Sequence, residues 1–380
     1  MNSQRLASYL EELREWVSIE TPSANVAAIS QLGARVASRC AEAGLAVEWA
    51  GGSNGACRTL IARGGPDRDA KGLLILAHLD TVHPEGTLAS SLPWRQEGDR
   101  LYGPGIYDMK ASALMAVWAW RHLAATGRSA RTPVTFLFVP DEEIGSPSSR
   151  EIIEGEAKNA LATFVVEPAR DGGKIVVARK GVARFVVTAT GRAAHSGTNF
   201  ELGRNAISEI AAQIPILDAL TDLAQGITVN VGTISGGTSP NTVADRCTIE
   251  VDVRLQRLDQ VDAVLAAIRA LKPRNPDVAL DVAGELNRPP FSADEGSRAL
   301  FQHARSVAAR QGIDLVGTSA GGASDGNFTA AMGIPTLDGL GVDGSGAHTL
   351  HEHILVSSIV QRIDLFAALL EETDRTCLAA

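Results

Sequence analysis

Cysteine is scarce and scattered. Cys40, Cys57, Cys247 and Cys377 are the whole complement, with no C-x-x-C pair, so neither a thiolate metal site nor a disulfide framework is expected. The pattern suits idle thiols in a reducing cytoplasm, the expected location. Long apolar runs are missing too: none nears the roughly 18 residues of a membrane span. Nor is there an excess of basic residues; 35 Lys and Arg against 44 Asp and Glu leave a net charge of −9. Nucleic acid and anionic membranes need a basic face, so neither is an expected partner. The opening segment MNSQRLASYLEELREWVSIETPS has no basic start, apolar block or small-residue cleavage site, so it is not read as a signal peptide. Leu6, Tyr9, Leu10, Leu13 and Trp16 instead fall at helical spacing. There is no internal repeat and no low-complexity stretch.

What is present suffices for a large core. At 380 residues and 45% hydrophobic, the chain calls for two domains, or one domain with a large insertion. Up to about residue 180, apolar strand-like runs (73–77, LLILA; 134–139, VTFLFV; 163–166, TFVV) alternate with helical stretches near 27–43, 109–125 and 148–157. That alternation predicts an α/β sheet. After Gly181 the order becomes strand, helix, strand, strand, helix, strand, a split ferredoxin-like α+β unit that ends at Asn287-Arg288-Pro289-Pro290. Helix–strand alternation then resumes, including a strand-like IPTLDGL. The expected organisation is an α/β domain of residues 1–180 and 290–380, interrupted by an inserted α+β domain of residues 181–289.

Acids and histidines collect where these strands end. His78 and Asp80 follow LLILA, Asp108 precedes a helix, Asp141, Glu142 and Glu143 follow VTFLFVP, Glu167 follows TFVV, and His348 follows the last apolar strand. Open α/β sheets build their sites at the carboxyl ends of strands. Singly, each residue has a plain alternative: Asp108 as a helix N-cap, His78 as a satisfied core histidine, Glu142 and Glu143 as a solvated pair. Jointly, carboxylates at buried strand ends repel unless something neutralises them. Two divalent ions do so, because Asp108, Glu143, Glu167 and one hydroxide together balance two Zn²⁺.

The strings LAHLDTV, GPGIYDMKAS, PDEEIGS, VVEP and GRAAHSG, in this order, resemble the zinc-dependent aminoacylase, acetylornithine deacetylase and glutamate carboxypeptidase family of metallopeptidases. ELGRNA, ADRCTIEVDVRL and NRPPF are most similar to its folate-cleaving glutamate carboxypeptidases. The resemblance runs over nearly the whole chain. It implies a catalytic α/β domain with a mixed central sheet flanked by helices, and an inserted domain that acts as lid and dimer contact. It implies two zinc ions per subunit, replaceable by cobalt or manganese: His78 and Glu167 on one, Glu143 and His348 on the other, with Asp108 bridging. Glu142 is then the general base and Asp80 orients the His78 imidazole. The peptide after Asp108 is expected to be cis. Relatives with Glu at the Glu167 position remove C-terminal or N-acylated residues. His195 matches a lid histidine that reaches across a homodimer; Asn241, Arg288, Gly321 and Gly322 match positions that hold a substrate carboxylate, for which an arginine fork is suited. The chain offers His348, His351 and His353 here; register with GLGVDGSGAH favours His348, with His351 as the fallback ligand. The implied reaction cleaves a small peptide beside a free C-terminal carboxylate, with N-acyl-amino-acid deacylation as the alternative.

Two formal motifs compete. GTSAG (317–321) matches G-x-S-x-G and, with Asp338 or Asp343 and His348, spells a serine-hydrolase order through Ser319. That reading leaves Asp108, Glu142, Glu143 and Glu167 unexplained. GLGVDG (339–344) matches a dinucleotide fingerprint without the βαβ context it needs. A metal-free binding relative is disfavoured because every expected ligand and the base are present.

Overall fold

The computed structural model describes residues 2–52, 56–67 and 70–378. The chain divides into two compact units, Met1–Ala178 with Ala293–Ala320 and Ser324–Ala380, and Arg179–Ser292 with Gly321–Ala323.

In the first unit, β1 (Ala46–Gly51), β2 (Arg58–Gly64), β3 (Gly72–His78), β4 (Val134–Val139), β5 (Ala160–Val165) and β6 (Thr336–Leu337) form one mixed sheet in the order β1-β2-β4-β3-β5-β6. The two outer pairings, β1 with β2 and β2 with β4, are antiparallel, and the rest are parallel. The near-continuous apolar run of β3 reflects burial of both of its faces. Leu73, Ile75 and Ala77 enter one core, with Trp16, Leu32, Leu114 and Phe366 from helices Asn2–Ser18, Val26–Glu42, Ala111–Ala125 and Val356–Glu372. Leu74 and Leu76 enter a second, with Ile153, Ala157 and Phe328 from helices Arg150–Ala157 and Gly326–Ala331. This is an α/β fold with a mixed sheet flanked by helices.

Two helices begin later than their periodicity suggests. The one expected from residue 109 starts at Ala111, because Asp108 and Met109 have non-helical backbones joined by a cis peptide, as the resemblance implies. The one expected from residue 148 starts at Arg150, where the Asp141 carboxylate accepts from the Ser148 backbone and from the Ser148 and Ser149 hydroxyls. The IPTLDGL strand contracts to the two residues of β6, and most of the GTSAG motif is itself a strand, Gly317–Ala320.

The second unit is a four-stranded antiparallel sheet in the order Thr228–Gly236, Arg246–Leu255, Gly181–Thr190, Ala279–Arg288, with helices Ala206–Asp218 and Val261–Arg269. Alternation decides its faces: Cys247, Ile249, Val251, Val253 and Leu255 point into a core with Ile210, Leu217, Leu265 and Ile268. The first helix starts at Ala206, past the apolar Leu202, because the Asn205 side chain accepts from the Ile207 and Ser208 amides.

Candidate metal centre

Parallel β3, β4 and β5 present their carboxyl ends at one edge of the sheet, and their register brings the chemistry together. His78 lies opposite Val139, two residues before Asp141, and Leu76 lies opposite Val165, two residues before Glu167. Residues separated by 89 positions in sequence thus reach the same level. His78 is 2% exposed, and its Nε2 stands 3.2 Å from Asp108 Oδ1 and 3.6 Å from Glu167 Oε1. The other Asp108 oxygen, Oδ2, lies 3.4 Å from His348 Nε2, which is also 3.1 Å from Glu143 Oε2. One carboxylate therefore faces two imidazoles, each accompanied by its own glutamate. His78, Asp108 and Glu143 offer ligand atoms all within 4.8 Å of one another.

Of the three histidines near the C-terminus, only His348 is placed against this cluster. It adopts a left-handed backbone (φ 63°), uncommon for a residue with a Cβ, and this turns its ring toward Asp108. His351 is exposed, and the His353 ring bonds to the His351 carbonyl and packs on Tyr102.

The electrostatics follow from carboxylates crowded around two imidazoles. Burial by itself lowers the His78 pKa, but the Asp108 and Asp80 carboxylates outweigh it and hold the ring well above its ordinary value. Hydrogen bonds to Asp108 and then Glu143 push His348 up to about 10. Burial pushes Glu143 up, and its Oε1 is buried with no hydrogen-bond partner. Both imidazoles are thus biased toward their charged form by the carboxylates they face. A nitrogen-and-carboxylate donor set with an orphaned buried oxygen fits divalent metal ions of the zinc type.

Asp80 meets the His78 ring through its backbone as well as its side chain. The His78 Nδ1 bond goes to the Asp80 backbone carbonyl at 2.9 Å, and the nearest Asp80 carboxylate oxygen is 3.5 Å away. That carboxylate instead accepts from the Glu142 and Glu143 amides at 3.1 and 3.2 Å and from the Ser23 hydroxyl at 2.6 Å. Asp80 thus fixes the backbone of the two glutamates while its own carbonyl sets the ring. Ser23, in the turn between helices Asn2–Ser18 and Val26–Glu42, carried no signal in the sequence.

The residues expected to contact substrate belong to the second unit. His195 is part of an exposed turn in which its Nδ1 accepts from the Gly197 and Thr198 amides, both at 3.1 Å. A backbone bridge from His195 to Thr242 brings the Asn241 segment alongside. Arg288 is 6% exposed and bonds to the Asn287 side chain. Gly322 offers its carbonyl to Arg179 at 3.2 Å, and neither Gly321 nor Gly322 has an atom within 4 Å of an added Cβ. Arg179, 3% exposed, is a second buried arginine that spacing alone did not single out.

Ser319 is exposed within a strand, not on a strand-to-helix elbow, and His348, the histidine its motif needs, sits against Asp108 and Glu143. Asp338 is taken up with the Ser324 hydroxyl. Among the described residues no helix is long and apolar enough to cross a membrane.

Comparison with known proteins agrees with this geometry. Carboxypeptidase G2 of Pseudomonas sp. is 33% identical over 308 residues, covering 80% of this chain and 74% of that protein. A putative succinyl-diaminopimelate desuccinylase of Mycobacterium tuberculosis is 29% identical over 322 residues, covering 80% and 84%. Among solved structures, a dinuclear metal-binding peptidase of the M20 family from Bacillus subtilis superimposes with a TM-score of 0.68 at 17% identity, over 96% of this chain and 97% of that one. A profile of peptidase family M20/M25/M40 matches residues 74–372, so the chain belongs to that family and is a hydrolase of amide bonds.

Proposed function

We propose that the chain is a dinuclear zinc carboxypeptidase that cuts a peptide or N-acyl amide bond beside a free C-terminal carboxylate. One observation carries this reading: Asp108 turns Oδ1 toward His78 and Oδ2 toward His348, with Glu167 and Glu143 as the respective companions. In this assignment His78 and Glu167 would hold one ion, Glu143 and His348 would hold the other, and Asp108 would serve both. Bound zinc, or cobalt or manganese in its place, supplies positive charge that polarises the scissile carbonyl and acidifies water. Glu142 takes a proton from the attacking water and delivers it to the leaving amine. Asp80 keeps Glu142 in place through the 3.1 Å bond from the Glu142 amide.

For the carboxylate of the substrate we assign Asn241, Arg288 and the Gly321–Gly322 backbone. A guanidinium as buried as Arg288 suits a planar anion that it can grip with two parallel bonds. His195 is assigned to the oxyanion in the partner of a homodimer formed through the second unit. In support, that unit ends on the edge strand Thr228–Gly236 and exposes Ile207, Ile216, Leu223 and Ile234. The likeness to a desuccinylase over 84% of its length favours N-acyl-amino-acid deacylation as the second reading.

Metal analysis tests the core of the proposal. About two zinc ions per chain are expected, with activity lost to chelators, restored by zinc or cobalt, and indifferent to serine-directed phosphonates. A metal-free preparation of full activity would overturn it.

A further inference from the structure

Glu352 lies between His351 and His353, on the segment that carries His348, and is entirely buried. Its Oε1 accepts from the Tyr107 amide at 2.9 Å and the Asp108 amide at 3.0 Å. Its Oε2 accepts from the Gly105 amide at 3.0 Å and stands 2.6 Å from Nε2 of His83, itself 6% exposed. Three amides within four residues thus converge on one carboxylate 244 or more positions away in the chain. The Gly105–Asp108 loop can bend around it because Gly105 has φ 65° and a Cβ there would lie 2.3 Å from Thr81 Cγ2.

A carboxylate removed from water is costly unless its lone pairs are filled, and here four donors fill them. Hydrogen bonds to a charged acceptor are short and directional, so the Asp108 backbone is held at one angle. That angle matters because Asp108 must aim its two oxygens at two different imidazoles. The Thr349 carbonyl also accepts from the Glu352 amide at 3.3 Å, closing the turn that starts beside His348. One short segment therefore supplies both a ring on one side of the centre and the anchor of the carboxylate shared by both sides.

We propose that Glu352, itself held by His83, is the positioning residue for Asp108 and sets the pairing of the two metal ions. The proposal rests on the two-metal reading above. Its test is metal titration of the full-length protein with Co²⁺, followed by visible absorption and ion count, in wild type and in the variants Glu352→Gln, His83→Phe and His83→Gln. Glu352→Gln keeps the shape but turns an amide donor against backbone donors. The expected result is an about tenfold or greater loss of affinity for the weaker of two ions, with an altered cobalt spectrum, in Glu352→Gln and His83→Phe. His83→Gln, which retains a donor, should recover part of that loss, and kcat should fall with KM little changed. Glu12→Gln is the control: Glu12 is a buried carboxylate of the same unit, held by Trp118 and Arg39, and its loss should lower Tm without touching cobalt affinity. If Glu352→Gln does not fold, the two His83 variants decide. Two ions bound with wild-type affinity and spectrum in Glu352→Gln and His83→Phe would overturn the proposal. Fewer than two ions in the wild type would instead bring down the two-metal reading on which it stands.

Discussion

Glu142 and Glu143 are neighbours of the same type, yet the structure gives them different surroundings. Asp80 holds both backbone amides, and it is the Glu143 side chain whose Oε2 stands 3.1 Å from His348. Substituting Glu142→Gln keeps size and backbone anchoring and removes the proton acceptor. Turnover should fall by roughly 10²–10⁴, with metal content near wild type. Elemental analysis beside the kinetics checks this, and loss of metal together with activity would mean that the two glutamates have exchanged roles. At this scale the sequence was legible wherever a residue type follows a strand, as with His78, Glu143 and Glu167. Register with GLGVDGSGAH favours His348 over His351 and His353, and His348 is the one that stands against Asp108 and Glu143.

At the scale of elements, the site exists because β3, β4 and β5 are parallel, so that strand ends far apart in sequence meet at one edge. The loop carrying Asp108 depends on a single glycine. Gly105→Ala places a side chain in left-handed backbone and drives its Cβ into the Thr81 methyl, so Tm should drop by several degrees and metal affinity should fall with it. Adding Thr81→Ser, which removes that methyl, should recover part of both. Calorimetry and cobalt titration of the single and double variants give the comparison; equal values for Gly105→Ala and wild type would show that the loop tolerates the bulk. Element starts were the least legible feature. Helices begin where Asp141 and Asn205 take up amides, and such bonds end or delay a helix without disturbing its apolar period.

For the whole molecule, the homodimer proposal has a direct consequence. Mixed His195→Ala and Glu142→Gln chains, each inactive alone, should regain part of the activity once subunits exchange, since some sites then combine an intact base with an intact His195. Activity after proven exchange is the measurement, and none regained would place His195 in its own chain's site. Specificity for a free carboxylate makes a second demand. An arginine left without its anion in a desolvated pocket costs several kcal/mol, so a substrate and its C-terminal amide should differ at least a hundredfold in kcat/KM. Equal values would show that Asn241, Arg288 and the glycine pair form no clamp.

Local pattern determined much of this protein by itself. Apolar runs, their periods and the residues at their ends are properties of short windows, so the α/β class, the β-α-β-β-α-β unit and the acid-and-histidine set could be read directly. The tertiary structure alone decided that the Asp80 carboxylate serves the Glu142 and Glu143 backbone, and that Glu352 gathers the amides of Gly105, Tyr107 and Asp108. Those choices are hydrogen bonds between segments tens to hundreds of residues apart. Their partners are set by strand order and register, which no single window of sequence contains.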